Sequence, residues 1–158
     1  MTDTSHKAAS QTLREIASWQ PGRGSADSDL LPELSTMVAR SRDLSRNHGI
    51  ASGAMQTLTD NIVGTGFRLS AKPDYKLLGK TKDWEEEWQT TVEGLWRSWS
   101  ETFMCDAAQS LNFHGLTTQV FKSCLINGEA LALALGLPER PVATTMQLIE
   151  PDRLSNPN

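Results

Sequence analysis

Cysteine is scarce, with two in 158 residues. Cys105 and Cys124 cannot make a disulfide framework, and neither lies in a Cys-x-x-Cys pair or beside two histidines. Both fall in or beside apolar helical pattern and read as buried free thiols of a reducing compartment. Long hydrophobic runs are missing too. No stretch approaches the 18 apolar residues of a membrane-spanning helix. The first residues, MTDTSHKAASQTLREIASW, lack the apolar run and small-residue cleavage site of a secretory leader. The expectation is synthesis and residence in the cytosol, with no membrane partner. A strong charge imbalance is also lacking. The net charge is −4 and the isoelectric point about 5.3, which argues against a generic nucleic-acid coat. Residues 1–71 carry seven basic and seven acidic side chains, and neither later stretch is basic. With 38% apolar residues the chain suits one globular domain with a core.

Catalytic constellations are sparse. Gly64-Thr65-Gly66 lacks the lysine and hydroxyl residue of a phosphate loop and follows a helical pattern rather than a strand, so it reads as a helix stop and tight turn. The acidic run Asp83–Glu87 splays around a helix instead of converging on a metal. His48 reads as a helix C-terminal residue and His114 as a surface or packing histidine. A metal-dependent enzyme built on Asp83–Glu87 and His114 is the weakest of three readings. The expectation is no enzyme, no cofactor and no bound metal.

What is present is helical periodicity followed by a hairpin pattern. Residues 1–29 form a flexible arm: Leu13, Ile16, Ala17 and Trp19 suggest a helical turn or two, and QPGRGSADSD suggests a loop. A first helix is predicted from Pro32 to Asn47, capped by Ser28 or Asp29 and stopped at a left-handed Gly49. Its apolar stripe is Leu30, Leu34, Met37, Val38 and Leu44. A second helix, Ile50 to Val63, places Ile50, Ala54, Leu58 and Ile62 on one stripe and ends at Gly64. GFRLSA alternates like a half-buried strand. A third helix, Lys82 to Ser100, aligns Trp84, Trp88, Val92, Leu95, Trp96 and Trp99, with Glu85, Glu86 and Glu87 favourably near its positive end. A fourth runs from Leu111 to Asn127, with Ser110 as cap and Gly128 as stop. EALALAL and TTMQLIE then pair as a hairpin. The fold class is α+β: several amphipathic helices packed on a small antiparallel sheet, occupying residues 30–158. A hairpin alone is marginal, so an ending just after it predicts a cut through a larger protein.

Arginines and tryptophans offer the interaction chemistry. Arg40, Arg42, Arg46 and Arg68 could touch phosphates, which makes a small stand-alone DNA-binding helical module the second reading. Asp43 sits among them and Glu33 lies seven residues before Arg40, so paired surface charge or inter-subunit contact is the stronger one. Stacking platforms interleave aromatics with cations, yet only Arg97 accompanies the tryptophan stripe, which therefore reads as core or subunit contact. The candidate subunit-contact residues are Trp19, Arg40, Arg42, Arg46, Trp84 and Trp88.

Four spaced elements complete the pattern: Arg42-Asp43-Leu44-Ser45-Arg46-Asn47, Val63-Gly64-Thr65-Gly66, Gly128-Glu129-Ala130 and Asp152-Arg153-Leu154. In this order, over residues 25–157, the chain resembles the N-terminal part of the lambda-family portal proteins of tailed bacteriophages. The resemblance implies self-association into a ring of twelve subunits at one capsid vertex. Such a ring conducts double-stranded DNA during packaging and ejection and meets terminase, capsid and tail-connector proteins. It implies assembly in the host cytoplasm and then a place in the virion, with no catalytic residue in the family itself. This stretch would be the outer, wing-like region, with the stem, clip and tunnel segments beyond residue 158.

Overall fold

The computed structural model describes residues 12–15, 17–19 and 22–154, in two compact units, residues 1–36 and 37–158. In the first unit one turn is closed by the Ala17 N–H donating to the Leu13 carbonyl at 2.8 Å. Trp19 is 70% exposed there, and Ile16 lies outside the described residues.

Helix α1 spans Ala26–Asn47 and crosses from the first unit into the second. It starts six residues before the predicted Pro32. Ser25 Oγ accepts the Ser28 N–H at 3.2 Å, and Asp27 and Asp29 load the first turn, so nucleation precedes the proline. Pro32 is consequently an interior residue and cannot donate to the carbonyl four residues back. Ser28 and Asp29 are helical residues rather than caps.

In the second unit α2 spans Gly49–Ile62 after a single non-helical residue. His48, expected to end the first helix, caps the second: its Nδ1 accepts the Ala51 N–H at 3.4 Å. Gly49 is the first residue of α2 and not a left-handed stop; the positive-φ glycines among the described residues are Gly64, Gly66, Gly79 and Gly128. Helix α3 spans Lys82–Ser100, as its periodicity predicts, with Thr81 accepting the Trp84 N–H. Helix α4 spans Phe113–Asn127 and ends on Gly128 at φ 85°. Its cap is Asn112, not Ser110, because Ser110 and Leu111 turn their N–H groups to the Asp106 carboxylate at 2.9 and 3.0 Å.

Phe67–Ala71 forms no strand. Its alternation finds no neighbouring strand, and the Ala71 N–H donates instead to Glu93 Oε1 on α3. Strands β1 (Leu131–Gly136) and β2 (Thr144–Ile149) pair antiparallel, Leu131 opposite Ile149 and Gly136 opposite Thr144. The hairpin gains support from a parallel bridge between Asp106 and Met146. There the Ala107 N–H reaches the Met146 carbonyl at 2.8 Å, and Arg140 donates to the carbonyls of Asp106 and Ala107. Trp99 Nε1 donates to the Thr144 carbonyl and joins α3 to β2. Trp96, Trp99 and Phe113 pack with ring centroids 5.1–5.3 Å apart.

Among the described residues only Val63, Ala71, Cys105 and Leu116 are buried apolar side chains. Cys124, expected inside, is exposed. The apolar stripes expected to face inward on the first two helices face out: Leu30, Leu34, Met37 and Leu44 on α1, and Ile50, Leu58 and Ile62 on α2. On α1 the covered positions are Val38, Ser41, Arg42 and Ser45; on α2 and its end they are Ala51, Met55, Thr59 and Val63. Leu95 on α3 also departs from the predicted core face and is 64% exposed.

Candidate assembly site

A polar clasp explains why α1 turns a partly polar side inward. Arg42 lies in the second turn from the end of α1's covered row, and its guanidinium fork meets Asp152 squarely. Nη1 donates to Oδ2 at 2.7 Å and Nη2 to Oδ1 at 2.8 Å. The third donor, Nε, reaches Asn127 Oδ1 at 2.7 Å. Asn127, the last residue of α4, donates to Ser123 Oγ, and Ser123 donates to the Glu129 carbonyl. A planar, permanently charged fork suits this double contact in a way that a lysine cannot. The Arg42 hydrogen bonds and positive charge hold the Asp152 carboxyl below its ordinary range. Three of the four sequence elements thus meet in one bonded network: the arginine-rich one through Arg42, Gly128–Ala130 through Glu129, and Asp152–Leu154 through Asp152.

The fourth element supports the other end of α4. Gly64 and Gly66 take φ values of 54° and 92°, and the Gly66 N–H closes a tight turn on the Val63 carbonyl at 3.0 Å. A Cβ at Gly66 would stand 3.1 Å from His114 Nδ1. His114, in the first turn of α4 beside its Asn112 cap, is therefore a packing residue against this turn. Between the turn, α3 and the start of α4 lies a cleft of about 590 Å³, with Trp96 and Phe113 in its wall and Arg68, Arg97, Glu93 and Glu101 around it.

Asp106 organises the hairpin side. Burial pushes its carboxyl up, but hydrogen bonds from the Ser110 N–H and hydroxyl and from the Ala108 and Leu111 N–H groups outweigh this, and the net displacement is downward. Neighbouring Cys105 is fully buried, and burial pushes its thiol up. No group of three histidine, cysteine, aspartate or glutamate side chains among the described residues is placed to hold a metal ion. No helix among them is long and apolar enough to cross a membrane.

The predicted contact residues fall into different settings. Arg42 is engaged within its own chain. Arg40 and Arg46 are exposed, and neither takes part in the ion pairs found among the described residues. Trp84 and Trp88 stack with centroids 6.2 Å apart, and Lys80 lies 5.7 Å over the Trp84 ring. Trp19 stands exposed in the first unit. With Arg42 occupied by a carboxylate, nothing in this arrangement favours the DNA-binding reading. Sequence reasoning missed Asn127, Ser123, Asp106 and Arg140. The only local signal was Asp106, whose spacing to Ser110 is that of a side chain folding back on a turn.

Comparison with known proteins agrees with these motifs. The family described as phage portal protein, lambda family, matches residues 12–158. The portal protein of Escherichia phage N15 is 34% identical over 148 residues, and portal protein B of Escherichia phage lambda is 32% identical over 148 residues. Each alignment covers 91% of this chain but 28% of the relative, so the chain spans little more than a quarter of the length of these proteins.

Proposed function

This chain belongs to the lambda family of phage portal proteins, and from that premise we propose that it forms the wing-like outer part of a portal ring. It acts by packing against copies of itself. Through a longer polypeptide it joins the capsid vertex, the terminase, the tail connector and the DNA that passes through the ring. In this reading it performs no catalytic step, assembles in the host cytoplasm and ends in the virion.

The observation that carries the proposal is the placement of apolar side chains on the helices. The four family elements are spent on internal bonding, while Ile50 at 81% exposure and Leu95 at 64% stand uncovered. An exposed apolar surface of this kind marks an interface, and a ring of identical subunits supplies the partner. Sedimentation velocity of the chain over a wide concentration range tests it. Association that rises with concentration supports the reading, and a monomer throughout overturns it for this chain.

A further inference from the structure

Within the second unit, α1 and α3 each carry a row of side chains that the unit leaves partly uncovered. On α1 it is Met37, Arg40 and Leu44, spaced three and four residues apart; both apolar members are about half exposed. On α3 it is Trp88 and Leu95, 38% and 64% exposed, with the half-covered Trp84 one turn before Trp88 and Glu87 at the three-residue spacing from Trp84 that makes helical neighbours. Rows of this rhythm are what two helices interdigitate when they pack.

The charges beside the rows are opposite. From Arg40 to Arg46 α1 has three arginines and one aspartate, and Arg42 is already held by Asp152. The first turns of α3 carry Asp83, Glu85, Glu86 and Glu87, of which Glu86 is matched by Lys82. Arg40 and Glu87 are exposed, and neither joins an ion pair among the described residues. Pairing α1 with α1 would set arginine against arginine, and α3 with α3 glutamate against glutamate. Like charges facing each other disfavour both symmetric arrangements. Only the pairing of unlike helices is complementary, and a head-to-tail contact between unlike surfaces is the kind that generates a ring.

We propose that α1 of one copy packs on α3 of the next, with Met37 and Leu44 on the Trp88 and Leu95 row and Arg40 paired with Glu87. The inference rests on the portal-ring reading and names the surfaces that build it. A segment of a longer polypeptide would be the competing occupant of either row.

The test is charge reversal in the full chain, read by sedimentation velocity and backed by thermal melts. Arg40→Glu and Glu87→Lys each weaken self-association about tenfold, since an exposed attraction becomes a repulsion across the same contact. Neither alters the melting temperature appreciably, because neither side chain has an ion-pair partner among the described residues. An equimolar mixture of the two variants recovers wild-type association, as does the double variant, because every contact in both is again between opposite charges. Wild-type association that survives both single reversals, or that the mixture fails to recover, overturns the α1–α3 contact and leaves the ring reading standing. A wild-type chain that stays monomeric overturns both.

Discussion

Arg42 and Asp152 lie 110 positions apart in the sequence, yet they face each other through two parallel hydrogen bonds of 2.7 and 2.8 Å. The contact binds the helix that opens the second unit to the turn that follows its last strand. Because Arg42 also reaches Asn127, removing either member of the pair loosens three elements at once.

Arg42→Lys should therefore lower the melting temperature by nearly as much as Arg42→Ala, since a lysine cannot hold Asp152 and Asn127 together. Asp152→Ala should act in the same direction. A double-mutant cycle in chemical denaturation should show strong coupling, with the double variant little worse than the worse single one. Additive effects would mean that the clasp carries no shared stabilisation.

Acid should unfold the chain through its aspartates. Asp106 and Asp152 are both held below the ordinary aspartate value in the folded state. A depressed folded value means that the unfolded chain binds the proton more readily. Their contribution is fully present above the unfolded value of about 3.9 and is lost as pH falls through each lowered value. Asp106→Asn should cost about 2 to 3 kcal/mol at neutral pH, because an amide serves the four donors poorly. It should also flatten the loss of stability below about pH 4. Denaturant midpoints across pH 2–7 (about the accessible range) check both effects.

Gly66 and Gly128 both sit at positive φ, but only Gly66 has a close neighbour in the direction of a Cβ. Gly128→Ala should cost about 1 kcal/mol for the left-handed backbone alone. Gly66→Ala should cost about 1 kcal/mol more, because the methyl group must push His114 aside. Urea denaturation of the two variants, with His114→Ala added to each, separates the terms: the second change should relieve only Gly66→Ala.

The two thiols should differ sharply in reactivity. Cys124 is exposed, while Cys105 is buried with its thiol value pushed up. A disulfide reagent at neutral pH should titrate one thiol quickly in the native chain and the second only on unfolding. Mass spectrometry identifies which cysteine carries the label.

Local chemistry was legible before the structure. Helix α3 spans Lys82–Ser100 as its tryptophan spacing and first-turn acids predict, and Gly128 ends α4 in a left-handed turn. The hairpin follows from alternation around a proline-rich turn. What could not be read was which side of α1 and α2 faces in. Both helices have apolar residues on two sides, and on α1 the inward side is the one that carries Arg42, held by a residue 110 positions away. The Phe67–Ala71 segment misled for a related reason: its alternation fits a strand, but a strand requires a partner, and Glu93 takes the backbone N–H instead. The four family elements were visible as motifs, whereas the convergence of three of them through Arg42, Asp152 and Glu129 is a property of the fold.

The Arg42 clasp also defines a path for force. A pull on the backbone beyond Leu154 meets Asp152 before it reaches β2. Asp152 hands the load through the guanidinium to α1 and, through Asn127, to the end of α4. The ladder between β1 and β2, which could be unzipped one bond at a time, is shielded behind two parallel bonds that must break together. The second unit is thus braced at its C-terminal side by a contact that ties Asp152 to two helices as well as to the strand before it.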